Sequence, residues 1–133
     1  MAYSAILKPS TFMNTKLYAG NGGTQSITGV GFKPDLVWTK QRTDAADHRL
    51  YDIVRGVYKQ IASNTNADEE SDSNTLTAFG SDGFSLGSSA DANQNAKNFV
   101  SWNWKAGTSF SNNAGANGAS LASTGSVNTT SGF

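Results

Sequence analysis

The chain has 133 residues, and its ten basic residues balance its ten acidic residues, so the formal net charge is zero. Nucleic-acid binding would need a basic stripe to contact phosphates, and the chain shows none. Cysteine is absent, which excludes disulfides, thiolate chemistry and cysteine-ligated zinc. The apolar runs are too short to span a membrane, and the first residues lack the apolar core of a secretory signal. We therefore expect one domain that is made in a cytoplasm and does not insert into membranes.

Short apolar clusters separated by turn residues predict an all-β fold, because no long stretch has the period of a helix. The predicted strands are residues 17–19, 25–28, 36–40, 49–54, 75–79, 84–86 and 99–104. Glycine and Asx residues at 20–23 and 81–83 supply the positive φ angles of tight turns. The segment 76–87 is the clearest predicted hairpin. These elements predict an antiparallel β-sandwich.

The last predicted strand alternates between large apolar and polar residues. Val100, Trp102 and Trp104 share one face because side chains alternate along a strand. We interpret the two tryptophans as the filling between two sheets, where Trp38 joins them. The alternative is an exposed tryptophan pair on which a sugar ring stacks.

Two polar segments without strand pattern are predicted surface loops, at residues 62–73 and 88–98. Long loops on a sandwich often contain the binding residues. The candidate binding-loop residues are Tyr58, Asp68, Glu69, Glu70, Asp72, Asp91 and Asn93.

Catalytic and metal-binding patterns are not found in the sequence. His48 is the only histidine, and no Gly-x-Ser-x-Gly motif accompanies it. The carboxylates at 68–72 lack the apolar surroundings that raise the pKa of a glycosidase general acid, and their spacing differs from that of an EF-hand. No phosphate-binding glycine motif occurs before a predicted helix. We expect no enzyme activity, no metal ion and no cofactor.

Residues 106–133 contain no charged residue and no proline, and consist almost entirely of Ala, Gly, Ser, Asn and Thr. Such a composition cannot bury a core of its own. We therefore divide the chain into a sandwich domain at residues 1–107 and an extended C-terminal tail at 108–133. Small uncharged side chains allow close backbone approach without burying ions, so we expect contacts with other subunits to order this tail.

Several segments together resemble a domain that recurs in virion proteins of tailed bacteriophages, many of them marine. The segments are 17–23, 31–40, 48–56, 76–87 and 100–107. The most specific are Gly31-Phe32-Lys33-Pro34-Asp35 and Ser81-Asp82-Gly83-Phe84-Ser85-Leu86-Gly87. The resemblance covers residues 5–107 and implies a concanavalin A-like, SPRY-like β-sandwich of fibre, spike or other appendage proteins. It carries over no catalytic residue.

This resemblance implies a structural virion protein, made in the host cytoplasm, that contacts other virion proteins and attaches to the host surface. Appendages of the family are commonly trimeric, which implies a homotrimer. In relatives the segment corresponding to 125–133 leads into a second domain, so the chain is expected to be part of a longer appendage. Two alternatives stay open: a lectin-like module that binds a host cell-surface glycan, and a capsid-surface decoration protein.

Overall fold

The computed structural model describes residues 8–115 and 120–133, and nearly all of the regular secondary structure in these residues is β-strand. The strands are β1 (Met13–Ala19), β2 (Gln25–Ile27), β3 (Leu36–Gln41), β4 (His48–Asp52), β5 (Lys59–Ala62), β6 (Glu70–Ser71), β7 (Leu76–Gly80), β8 (Gly83–Leu86), β9 (Asn98–Trp104), β10 (Thr108–Asn112) and β11 (Ser123–Val127). A 3-10 turn covers Pro9–Thr11 and a short helix, α1, covers Ala90–Asn93. No helix in the described ranges is long and apolar enough to cross a bilayer.

Two antiparallel sheets form the body of the domain. The large sheet has six strands in the order β1-β9-β3-β4-β5-β6, and the small sheet has three in the order β2-β8-β7. Their facing sides supply one buried cluster, with Val37 and Tyr51 from the large sheet and Ile27, Phe84 and Leu86 from the small sheet. The predicted all-β antiparallel sandwich is therefore confirmed.

Each of the predicted strands falls on an observed strand, but several elements were missed. Strands β5 and β6 and helix α1 were not predicted, and β6 and α1 lie within the two predicted loops. The described part of the tail is not an extended segment, because β10 and β11 pair as an antiparallel hairpin. The ring of Phe110 lies across Gly125, its cross-strand partner, so an aromatic side chain covers the gap that the glycine leaves.

Strand β9 buries the face opposite to the one predicted. Phe99, Ser101 and Asn103 are fully buried, whereas Trp102 and Trp104 are half-buried on the other side of the large sheet. The prediction that the tryptophans fill the core is therefore wrong. Strand alternation identifies residues that share a face, but not which face meets the second sheet. The polar groups inside are partly satisfied within the sheet: the Asn103 amide donates to the Asn14 carbonyl oxygen at 3.0 Å.

Candidate functional site

The side of the large sheet that faces away from the small sheet is unusually apolar. The strand registers place one row of side chains directly opposite one another across five strands: Thr15, Trp102, Trp38, Leu50 and Ile61. Further apolar residues flank this row on β1, β9 and β3. We define the outer apolar face as Met13, Leu17, Leu36, Trp38, Leu50, Ile61, Val100, Trp102 and Trp104.

Residues of this face are accessible at both of its sides. Leu17 on β1 is 63% exposed and Ile61 on β5 is 37% exposed. In an antiparallel sandwich, the solvent side of a sheet normally carries polar residues. The other members of the face are half-buried, except Val100, which is buried. A contiguous apolar patch that is partly exposed indicates a contact surface for a protein or ligand.

Aromatic contacts fix the tryptophans at the centre of the outer apolar face. The rings of Trp38 and Trp102 lie 5.4 Å apart and are tilted by 55°. The Trp38 indole donates its Nε1 hydrogen to Nδ1 of His48 at 2.9 Å. His48 therefore accepts through Nδ1, and its second ring nitrogen carries the proton of the neutral imidazole. The tilt makes this region a ridged surface and not a flat platform.

The C-terminal segment of the chain covers one end of the outer apolar face. Phe133 stacks on Trp104 with a centroid distance of 5.9 Å and an angle of 18°. The side-chain oxygen of Asn128 accepts the backbone N–H groups of Thr130 and Ser131, each at 3.1 Å. These bonds turn the chain so that its last residue returns to the sheet. The rest of the face has no such cover among the described residues.

The predicted binding-loop residues do not form one site. Glu69 contacts Lys59 at 3.2 Å and Arg55 at 3.4 Å. Glu70 and Asp91 converge on Arg49, each at 3.1 Å, and the Arg49 side chain is only 12% exposed. These carboxylates are therefore neutralised by ion pairs that join β4, β5 and β6 to the loop regions.

The buried amide of Gln60 extends this network into the core. Its nitrogen donates to Glu70 at 3.0 Å and to Asp91 at 2.7 Å. Its oxygen accepts the hydroxyl hydrogen of Tyr51 at 3.0 Å. Burial raises the pKa of the Tyr51 phenol well above its ordinary value, so the hydroxyl stays protonated. The network was not predicted, because its members are distant in sequence.

Of the remaining predicted binding-loop residues, two form hydrogen bonds with backbone groups and two are exposed. Asn93 is fully buried, accepts the N–H of Asn21 at 3.0 Å and donates to the carbonyl of Gly87 at 2.8 Å. Asp72 accepts the N–H of Asn74 at 2.8 Å within a turn. Tyr58 is 40% exposed and has a positive φ, and Asp68 is exposed. Within the described ranges, no group of three His, Asp or Glu residues is arranged to hold a metal ion.

A concave region separates the C-terminal hairpin from the sandwich. This open cleft has a volume of about 880 Å³. Its wall includes Lys33, Asp35, Ile53, Val54, Lys105, Phe110 and the hydroxyl residues Ser109, Ser111, Thr124 and Ser126. The Asp35 carboxylate accepts the N–H of Ala106 at 2.8 Å, and the Ser126 hydroxyl accepts that of Gly107 at 3.1 Å. These two bonds hold the base of the hairpin.

Comparison with known proteins assigns the chain to a family but not to an activity. Neither a curated protein nor a solved structure matches it. A family model described as a domain of unknown function, DUF7483, matches residues 8–133, which include the sandwich and the hairpin. Since this match covers nearly all of the sequence, the chain belongs to the DUF7483 family.

Proposed function

We propose that this domain is a structural module of a fibre, spike or other appendage of a tailed phage, and that it acts through contacts with other virion proteins. Two observations support the proposal. The first is the sequence resemblance of segments 31–40 and 76–87 to phage appendage proteins. The second, which carries the argument, is the outer apolar face with its three tryptophans.

The composition of this face fits the centre of a protein interface. Tryptophan is enriched among the residues that contribute most binding energy, and such residues lie in a desolvated centre with a polar rim. Here Trp38 and Trp102 occupy the centre, and Lys40, His48 and Asp52 lie at or next to the ends of their strands. The tilted indoles leave ridges and grooves into which a partner's side chains fit.

The size of the face sets the kind of contact. The face spans β1, β9, β3, β4 and β5, which lie about 4.8 Å apart, and extends over about five residues at about 3.4 Å each. These dimensions give a patch on the order of 400 Å². A standard interface buries about 800 Å² per partner. The outer apolar face is therefore the centre of a larger contact that includes polar rim residues.

Photo-crosslinking in assembled particles tests the proposal. A photoreactive phenylalanine derivative replaces Leu17 or Ile61, the two most exposed members of the face. The matched control is Ser26, an exposed residue of β2 in the small sheet. We expect crosslinks from positions 17 and 61 to another appendage protein and none from position 26. Crosslinks only to the major capsid protein would favour a decoration protein, and absence of crosslinks from both face positions would contradict the proposal.

A lectin-like module is the second candidate, and the cleft beside the hairpin favours it. Phe110 is 45% exposed there, and four hydroxyl residues line the same cleft. Exposed rings and hydroxyls suit a sugar, whose apolar face stacks while its hydroxyls form hydrogen bonds. A glycan array on the purified chain tests this candidate. Binding that is lost in Phe110→Ala, or in Tyr58→Ala at a candidate binding residue, would favour a lectin, and no binding to any glycan would exclude it.

A further inference from the structure

The antiparallel pairing of β3 and β9 brings two lysines to the cleft beside the C-terminal hairpin. Lys33 precedes β3 and Lys105 follows β9. Because these strands are antiparallel, the start of β3 lies next to the end of β9, where the N–H of Asp35 donates to the carbonyl oxygen of Trp104 at 2.8 Å. Both lysines line the cleft. The sandwich side of the cleft therefore carries two ammonium groups from distant parts of the sequence.

Neither of these lysines is neutralised by a carboxylate. No ion pair among the described residues includes Lys33 or Lys105. Of the described residues that line the cleft, Asp35 alone is acidic, and its carboxylate already accepts the N–H of Ala106 at 2.8 Å. The cleft wall therefore has a net positive charge, although the formal charge of the whole chain is zero. A cleft lined by charge of one sign attracts a ligand of the opposite sign, here an anion.

The rest of the cleft wall suits a sugar ring better than a simple anion. Ile53, Val54 and Phe110 supply apolar surface, and Val54 and Phe110 are 42% and 45% exposed. The hydroxyl residues of the hairpin form two cross-strand pairs, Ser109 with Ser126 and Ser111 with Thr124. Hydroxyl groups both donate and accept hydrogen bonds, as the hydroxyls of a sugar do. The wall thus combines positive charge, an aromatic ring and hydroxyls in one cleft.

We propose that this cleft binds an acidic saccharide, and that Lys33 and Lys105 pair with its carboxylate or sulfate groups. The ring of Phe110 contacts the apolar face of a sugar, and the hairpin hydroxyls bond to sugar hydroxyls. The cleft volume of about 880 Å³ lies within the usual range of ligand pockets, about 300–1,000 Å³. The proposal rests on the lectin-like candidate, to which it adds the charge of the ligand, and does not depend on the outer apolar face.

Calorimetric titration of the purified full chain tests the charge of the ligand. The acidic probes are oligogalacturonate, oligomannuronate and a heparin oligosaccharide. Methyl-esterified oligogalacturonate is the neutral control, because it keeps the sugar rings and loses the carboxylate charge. The double variant Lys33→Gln with Lys105→Gln removes both positive charges from the cleft. The matched double variant Lys40→Gln with Arg42→Gln removes two positive charges at the other end of β3, outside the cleft.

We expect the natural chain to bind at least one acidic probe, and the cleft double variant to lose about tenfold or more in affinity, because it loses two charge-assisted contacts. The matched double variant should bind like the natural chain. Added salt should weaken binding, since dissolved ions screen exposed charges. Lys33 is exposed, so Lys33→Gln alone should show a smaller loss without disturbing the packing. An unchanged urea midpoint would show that each variant folds.

Several outcomes would overturn the proposal. Equal affinity for oligogalacturonate and its methyl ester would show that charge plays no part, and equal losses in the two double variants would show that the cleft lysines are not the site. Polyglutamate that binds as tightly as the acidic saccharides would indicate a general anion surface. If neutral glycans bind and no acidic probe does, the lectin-like candidate stands and the acidic ligand is wrong. If no glycan of either kind binds, both are wrong.

Discussion

Trp38 and His48 are joined across β3 and β4 by a hydrogen bond in which the indole Nε1 donates to the imidazole Nδ1 at 2.9 Å. Their rings also lie 5.5 Å apart. Since Trp38 touches Trp102 as well, this bond orients the central indole of the outer apolar face. His48, considered from the sequence only for catalysis, therefore has a positioning role in the structure.

We expect His48→Leu to lower the free energy of unfolding by about 1–2 kcal/mol, because it leaves the half-buried indole N–H without an acceptor. His48→Gln is the matched control, since its amide oxygen retains an acceptor. Urea unfolding followed by tryptophan fluorescence measures the difference. Equal stability of the two variants would show that the hydrogen bond contributes nothing.

The Asp82 carboxylate should make the stability of the domain pH-dependent on the acid side. It accepts the N–H of Gly31 at 2.6 Å and that of Gly29 at 2.9 Å. These two bonds, with a smaller effect from Lys16, lower the pKa of Asp82 in the folded protein. A lowered folded pKa means that this stabilisation is fully present above the unfolded pKa of about 4. It is lost as the pH falls through the folded pKa.

Asp82→Asn should therefore be less stable than the natural chain near neutral pH. The difference in unfolding free energy between the two chains should shrink as the pH falls below about 4. Urea unfolding midpoints of both chains, measured between neutral and strongly acidic pH, give this difference. A difference that stays constant over that range would contradict a stabilising role of the ionised Asp82 carboxylate.

Seven of the eleven strands were predictable from sequence, but the orientation of β9 was not. The alternation in 99–104 is clear in both the prediction and the structure. The choice of buried face depends on the small sheet, which is made by distant residues such as Ile27 and Phe84. Strand β3 carries apolar side chains on both faces: Val37 points into the core, whereas Leu36 and Trp38 lie on the outer side. This pattern was the available sequence signal that the sheet has a second contact surface.

The sequence identified residues of the candidate site but did not predict where they lie in the fold. Trp38, Trp102 and Trp104 were identified but assigned to the core. The acidic residues of 68–72 were assigned to binding, because their basic partners Arg49 and Arg55 come from another strand region. The hairpin was missed because its residues are typical of mobile linkers, and its pairing depends on backbone hydrogen bonds.

Substitutions at two glycines distinguish the cost of a steric clash from the cost of an unfavourable backbone conformation. Both Gly56 and Gly83 have positive φ, but only Gly83 lies against another strand, where a Cβ would overlap the carbonyl oxygen of Ile27. We expect Gly56→Ala to cost about 1–2 kcal/mol from conformation alone. Gly83→Ala should cost about 4 kcal/mol or more, because β8 would have to separate from β2. Similar unfolding free energies for the two variants would contradict the close approach of these strands.

The last prediction separates the core from the outer apolar face by comparing two aromatic residues of β9. Phe99 is fully buried and stacks on Tyr18 at 5.2 Å, whereas Trp102 is half-buried on the opposite side. Phe99→Ala should cost about 3–5 kcal/mol, since it leaves a cavity in the core. Trp102→Ala should cost about 1–2 kcal/mol, because the indole has less area to lose from burial. Under the proposed function, the effect on assembly should be reversed: particles should incorporate Trp102→Ala poorly although the purified chain is folded. If Trp102→Ala lowers the free energy of unfolding as much as Phe99→Ala does, the tryptophans belong to the core and the outer apolar face is not the contact surface.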